Sequence, residues 1–324
     1  MSLTLAAAGL ALLLGPETAP DARSAGRERP NVVVILVDDM GYSDLGCYGG
    51  EISTPAIDAL AADGLRFTQF YNQGRCCPTR ASLMTGLHPH QAGIGHMTLS
   101  PGQNTPIVGP YQGYLNDECV TLAQVLKSVG YRTIMTGKWH LGLGENRRRC
   151  WPLQRGFDRY YGCLSGAINY FKPGGNRGLT EGNEPIPVPE DFYATETFTD
   201  KAIEYLTETP GDEPFFLYLA YNAPHWPLNP KPEDFRTYRG RYRDGYRAIM
   251  SARNRRQRES GLISEDVRPA PHPGPQWQSL EESDRDQQDA VMAAYAGCLA
   301  SVDRNIGRLV SHLKETNRLE NTVI

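Results

Sequence analysis

The sequence predicts an α/β protein: a doubly wound, mostly parallel central sheet with helices on both faces. Val32-Val33-Val34-Ile35-Leu36-Val37 is an unbroken β-branched and aliphatic run, the pattern of a strand buried on both faces, and it stops at Asp38-Asp39. A second such run, Pro214 to Tyr221, stops just before His225. Around these runs, segments with apolar residues at spacings of three and four alternate with strand-like ones. Such alternation implies right-handed βαβ units.

The elements follow in order. Pro55 to Gly64 predicts a helix, with Thr54 as N-cap, Pro55 at the first position, Ile57, Leu60 and Ala61 on one face, and Gly64 to end it. Leu65 to Tyr71 predicts a strand leading into the Cys76 loop. Asp117 to Gly130 predicts a helix carrying Leu122, Val125, Leu126 and Val129, and Tyr131 to Met135 the strand after it. Phe198, Ala202, Tyr205 and Leu206 mark a further helix before the Pro214 strand. Residues 227–285, rich in Pro, Arg and Gln, read as a surface insertion with some helix, its Arg253, Arg255, Arg256 and Arg258 on a solvated face. Gln287 to Asn317 predicts a long amphipathic helix, with Val291, Tyr295, Cys298, Val302, Ile306, Leu309 and Leu313 on one side. Asn321 to Ile324 opens another central strand. No internal repeat or separate second domain is visible.

At 324 residues with a formal charge of −4, the chain is long enough for one large α/β domain, and its charge fits neither a nucleic-acid binder nor a polybasic membrane protein. Leu3 to Leu14 is an apolar run of signal-peptide length, too short to span a bilayer comfortably, so residues 1–25 read as a secretory signal and the protein as secreted or periplasmic. The seven cysteines lack the C-x-x-C spacing of structural zinc sites. With Cys76 set aside as a nucleophile, an even number remains, compatible with disulfides or with buried free thiols.

Chemistry gathers where strands end. In open α/β sheets the ligand crevice lies beyond the carboxyl ends of the strands, so Asp38-Asp39, Lys138 with His140, and His225 can share one site with the Cys76 loop. Adjacent carboxylates at a strand end repel unless a cation neutralises them, and an all-oxygen set favours Ca²⁺ or, less, Mg²⁺. In Cys76-Cys77-Pro78-Thr79-Arg80, Pro78 suits a helix start, which places the Cys76 thiol where the helix dipole favours anions, with Arg80 about one turn on.

This C-x-P-x-R loop, continued through Thr85-Gly86, resembles the signature of type I sulfatases of the alkaline phosphatase superfamily. Asp38-Asp39-Met40-Gly41, His88-Pro89-His90-Gln91-Ala92-Gly93, Thr136-Gly137-Lys138-Trp139-His140-Leu141-Gly142 and Asn222-Ala223-Pro224-His225 resemble further blocks of that family, in its order. Thr79 and Met84 stand where serine and leucine are common. The resemblance implies hydrolysis of sulfate monoesters, arylsulfatase-like. It implies that Cys76 is oxidised to Cα-formylglycine by a formylglycine-generating enzyme and hydrated to a geminal diol, one hydroxyl of which attacks sulfur while the other later expels sulfate.

The same resemblance implies that Asp38, Asp39 and the modified Cys76 hold Ca²⁺, that Arg80 holds the diol, and that Lys138 and His140 clamp diol and sulfate. It implies that His225 binds the ester and protonates the leaving oxygen, and that Ser165 lies where a site hydroxyl often sits. His88, His90, His96, His272 and His312 are left without a role. Implied partners are a sulfated small molecule or carbohydrate and the maturation enzyme. A phosphonate monoester or phosphodiester hydrolase of the same superfamily, and a non-catalytic fragment that binds sulfated ligands, are the alternatives. Residues 30–324 thus read as the N-terminal portion of a sulfatase catalytic domain. In proteins it resembles, the strand cut at Ile324 continues into an Asp-Asn pair, a site lysine and a C-terminal subdomain, and the chain alone is expected to be inactive.

Overall fold

The computed structural model describes residues 29–98, 109–268 and 275–324. The segment read as a secretory signal, and His272, lie outside them. One sheet of seven strands organises the rest: β1 Asn31–Asp38, β2 Arg132–Lys138, β3 Arg159–Cys163, β4 Leu179–Glu181, β5 Glu184–Ile186, β6 Phe215–Pro224 and β7 Thr322–Val323, in the spatial order β5-β4-β3-β2-β6-β1-β7. All pairings are parallel except those of β4 with β3 and β5. β6 lies at the centre, between β1 and β2, and is buried along its whole length.

Alternation along β6 shows why the sheet must be covered on both sides. Phe215, Leu217, Leu219 and Tyr221 belong to one core, shared with Phe198, Ala202 and Leu206 of α4 (Ala194–Thr207) and with Cys298, Val302, Ile306 and Leu309 of α7 (Glu282–Glu315). Phe216, Tyr218 and Ala220 belong to the other, shared with Cys77, Ala81 and Met84 of α2 (Cys76–Thr85) and Ala123 of α3 (Leu122–Ser128). A side-chain period of two sends successive residues to opposite faces, so a strand apolar at every position needs a helix layer on each. The doubly wound expectation therefore holds.

Local chemistry moved several boundaries. Helix α1, Pro55–Asp63, starts where expected, but Thr54 makes no side-chain cap. Its hydroxyl instead donates to Asp58 (3.1 Å), and the free amides of Ala56 and Ile57 donate to the Asp303 carboxylate of α7 at 3.2 and 2.9 Å. The cap is tertiary. α3 is shorter than the expected 117–130 because Thr121 and Gln124 form a reciprocal capping box, while the Asn116 side chain takes the amides of Glu118 and Cys119 in a turn. α7 begins five residues before the expected Gln287.

Three expectations are corrected. Leu65 to Tyr71 forms no strand among the described residues: Leu65 is 86% exposed and Tyr71 82%, and without a neighbouring strand to pair with, β-propensity alone does not order a ladder. Among the described residues β7 pairs only with β1 and lies at the edge of the sheet, not at its centre. Within 227–285, α5 (Pro232–Tyr238) and α6 (Tyr246–Glu259) are knit into the domain, with Asp234, Tyr238, Tyr242 and Gln257 buried. Arg253 pairs with Asp44 and Glu51 and Arg256 donates to the Gly49 carbonyl, so these two arginines face inward. The β3 strand and the β4-β5 hairpin were not anticipated, being short and broken by Gly162 and Pro185. All seven cysteines are free thiols.

Asp303→Ala should leave the first amides of α1 without their acceptor at a cost of about 1 kcal/mol. A urea unfolding midpoint unchanged from wild type would show that the cap contributes nothing.

Candidate functional site

β1, β2 and β6 end side by side, and their last residues meet α2 at the carboxyl edge of the sheet. Close approach there depends on glycine. Gly137, at φ 101°, precedes Lys138, and a Cβ on it would lie 2.0 Å from the Ala220 carbonyl oxygen of β6. A left-handed backbone without a side chain is what lets β2 deliver Lys138 against β1.

The buried centre is an ion triad. Asp38, 5% exposed, receives Lys138 Nζ on one carboxylate oxygen and lies 3.3 Å from Arg80 Nη2 with the other. Arg80 is wholly buried, donating through Nη1 to the Lys138 carbonyl (2.7 Å) and the Tyr218 hydroxyl (3.3 Å). Burial pushes the Asp38 carboxyl up, but the Arg80 and Lys138 charges outweigh it and hold the group below the ordinary aspartate value.

Asp39 sits in a different field. Its backbone is left-handed (φ 66°), and its half-exposed carboxylate lies 3.7 Å from His225 Nε2. Burial and the Asp38 charge raise its pKa, with His225 and Lys138 offsetting in part. His225 Nδ1 donates to the Trp226 carbonyl at 2.6 Å, which turns Nε2 toward Asp39. The loop carrying Asp39 is pinned from α7: Tyr295 donates its hydroxyl to Asp44 Oδ2 (2.5 Å), lies 3.0 Å from the Asp39 carbonyl, and accepts from the Gly41 amide (3.3 Å). Arg253 of α6 holds the other oxygen of Asp44 at 2.6 Å.

Cys76 is the first residue of α2, with Arg75 as N-cap, so the helix starts two residues before the expected Pro78; Cys76 is half-buried, with Cys77 buried beside it. The Cys77 Sγ lies 3.2 Å from His140 Nε2, and one ligand-capable atom from each of Cys76, Cys77 and His140 falls within 4.8 Å of the others. A hydrogen bond from Cys77, then contacts with His140 and the Lys138 charge, pull the Cys76 thiol down against the opposing effect of burial. Burial lowers the pKa of His140. Its ring is seated on Gly166, where a Cβ would lie 2.2 Å from Cε1. Ser165, adjacent to that glycine, is buried and donates to the Ala167 carbonyl at 3.3 Å.

Asp38, Asp39, Cys76, Arg80, Lys138, His140 and His225 are thus brought to one edge of the sheet, linked by the contacts described. Tyr218, Asp44, Tyr295 and Met97, whose sulfur lies 3.9 and 3.7 Å from Cys76 and Cys77 Sγ, were missed. Tyr218 and Tyr295 sit within apolar patterns and read as core; only their hydroxyls set them apart.

The class of protein is thereby defined: an open, doubly wound α/β sheet that gathers Arg80 and Lys138 with Asp38 and Asp39 at its carboxyl edge. A family model described as Sulfatase matches residues 30–324, and the chain belongs to the sulfatase family. An uncharacterized sulfatase of Schizosaccharomyces pombe is 36% identical over 321 residues, covering 93% of this chain and 57% of that protein. An arylsulfatase of Klebsiella aerogenes is 35% identical over 313 residues, covering 94% of this chain and 66% of the relative. The crystal structure of Ps i-CgsB aligns with a TM-score of 0.67 at 29% identity, over 91% of this chain and 57% of that one. The chain therefore spans less than two thirds of the length of these relatives.

Asp38→Ala should destabilise the fold by roughly 3–5 kcal/mol, because it leaves two buried cations without their anion. Since the Asp38 pKa is depressed by folding, its contribution is complete above the unfolded value of about 3.9 and is lost as pH falls through the folded value. Denaturant titrations from neutral pH down to about pH 3 should show wild type losing stability in that window and the variant losing less. Parallel curves would contradict the triad's role.

Proposed function

We propose that this chain carries the nucleophile and the oxyanion-handling residues of a sulfate monoester hydrolase of arylsulfatase type, with Cys76 working as formylglycine. The observation that carries the reading is convergence. Segments far apart in sequence, 38–39, 76–80, 138–140 and 225, lie together within the stretch that matches the sulfatase model.

Roles follow from position. The oxidised Cys76 supplies the oxygen nucleophile, at a helix start that favours the anion. Lys138, with its charge near both Asp38 and Cys76, and His140 offset negative charge developing on the transferring sulfate. Arg80 acts from beneath, fixing Asp38 and the end of β2 through Lys138. His225 Nε2, on the more exposed side, is placed to bind the ester and to give a proton to the leaving oxygen. Ser165 is the site hydroxyl next to Gly166, the glycine on which the His140 ring is seated.

The donor set fits a hard cation. Asp38 and Asp39 are adjacent carboxylates, and the Asp39 pKa is raised in part by its neighbour, a repulsion that a cation relieves. They would hold Ca²⁺, with the oxidised Cys76 as a further oxygen ligand and Mg²⁺ less suited; two carboxylates supply part of the six to eight oxygens that Ca²⁺ takes. Bound there, the ion supplies charge that polarises sulfate oxygens.

A carbohydrate sulfate is the favoured substrate class. The structure of Ps i-CgsB with k-i-k-neocarrahexaose, 29% identical with a TM-score of 0.63, supports it. A formylglycine-generating enzyme is the required partner, and export matches the leading apolar run. Among the described residues no helix is long and apolar enough to cross a membrane.

Co-expression with a formylglycine-generating enzyme should yield an aldehyde at Cys76 and an intact thiol at Cys77 by peptide mass spectrometry. With an aryl sulfate as substrate, Cys76→Ala should abolish turnover, and Lys138→Ala and His225→Ala should each cost about 2–4 kcal/mol in kcat/KM. Chelation should lower the rate, and Asp39→Asn should weaken Ca²⁺ binding. Turnover retained by Cys76→Ala, or a higher kcat/KM on an aryl phosphodiester than on the sulfate, would overturn the assignment.

A further inference from the structure

The geometry points to a second use of the same helix start: in the chain whose Cys76 has not been oxidised, Cys76, Cys77, Met97 and His140 form a soft-metal site that takes Cu(I). Four donors of three kinds meet there. Met97 Sδ lies 3.9 Å from Cys76 Sγ and 3.7 Å from Cys77 Sγ, and Cys77 Sγ packs against the His140 ring, 3.2 Å from Nε2 and 3.4 Å from Nδ1, so the imidazole turns about its ring bond to bring a nitrogen onto the ion. Cys76, Cys77 and His140 each offer a ligand atom within 4.8 Å of the other two.

The two sulfur–sulfur separations to Met97 suit an ion shared by these sulfurs. A tetrahedron with metal–sulfur arms of about 2.3 Å has sulfur–sulfur edges of about 3.8 Å. The sulfur–sulfur distances to Met97 fall at that spacing. Two thiolates and a thioether with one imidazole are a soft set, and soft sulfur ligands select Cu(I) over hard ions.

The surroundings hold the donors in place. His140 is 4% exposed and its ring is blocked on one side by Gly166, where a Cβ would lie 2.2 Å from Cε1. The Thr98 amide donates to Cys77 Sγ at 3.4 Å, an outer contact that fixes the sulfur. Asp38, a buried carboxylate engaged by Arg80 and Lys138, is a hard oxygen donor and does not compete for a soft ion.

Cu(I) binds both sulfurs as thiolates, so whatever proton Cys77 or Cys76 still carries is released to solvent, with no change of oxidation state. Oxidation of Cys76 to the aldehyde removes one thiolate and dismantles the set. Metal binding is then a property of unmatured protein, and it withholds Cys76 from oxidation. This inference concerns the thiol form and stands apart from the hydrolase reading: a chain without sulfatase turnover can still bind copper.

The test is anaerobic Cu(I) titration of the chain produced without a formylglycine-generating enzyme, in competition with the chromophoric chelator bicinchoninate. One Cu(I) per chain is expected, with sulfur scattering dominant in X-ray absorption. Cys77→Ala should weaken binding by about 100-fold or more and Met97→Leu by about 10-fold. Cys47→Ala, which removes a half-buried thiol outside the cluster, should change nothing. If Cys77→Ala does not fold by circular dichroism, the half-buried Cys76→Ser serves in its place with the same expected loss. Wild-type affinity in the Cys76 and Cys77 variants, tighter binding of Zn²⁺ than of Cu(I), or no binding under competition would each overturn the assignment.

Discussion

Everything at the crevice is arranged around one buried carboxylate. Asp38 ends β1, and its two oxygens meet a guanidinium from α2 and an ammonium from β2, so three elements are tied at a single point. Removing charges from water costs several kcal/mol each, and the mutual attraction repays this only when geometry is good and the remaining donors are engaged. Arg80 meets that condition in part: Nη1 donates to the Lys138 carbonyl and Tyr218, while the buried Nε has no hydrogen-bond partner. Removal of the anion would leave two cations on a strand edge whose neighbours are apolar, which is why the triad acts as a unit.

A sheet buried on both faces makes this centre possible. β6 is apolar at nearly every position and sends its side chains alternately to the α4–α7 layer and the α2–α3 layer, so water is excluded from both sides of the strands that carry the charges. Gly137 then lets β2 lie against Ala220 closely enough for Lys138 to reach across to β1. Packing here sets the electrostatics, because the attraction between Asp38 and its partners is strong only where the surroundings are dry.

Long periodic segments were legible in the sequence. The runs at Val32 and Phe215 and the stripe from Val291 to Leu313 each specify an element by their own period, and the polar residues that end the two apolar runs marked the site. Sequence reading failed where structure depends on a distant partner. The α1 cap comes from Asp303, 246 residues after Ile57, and nothing near Thr54 announces it. Leu65 to Tyr71 has the composition of a strand, yet no described strand pairs with it. Tyr295 and Arg253 looked like core and solvated surface, and their place beside Asp44 follows only from the packing of α6 and α7 near the end of β1.

The Tyr295 contact has a thermodynamic consequence for ligand binding. α7 is a 34-residue rod, and through one hydroxyl it donates to the carboxylate of Asp44, accepts from the amide of Gly41 and abuts the carbonyl of Asp39. A loop left to itself would sample many backbone conformations, and fixing each residue costs about 1–2 kcal/mol of entropy at the moment it is ordered. Here that ordering happens when the helix packs. The left-handed turn at Asp39 is in place before any ligand arrives, so the entropic penalty for shaping this half of the crevice falls on folding and leaves association with the smaller task of desolvation.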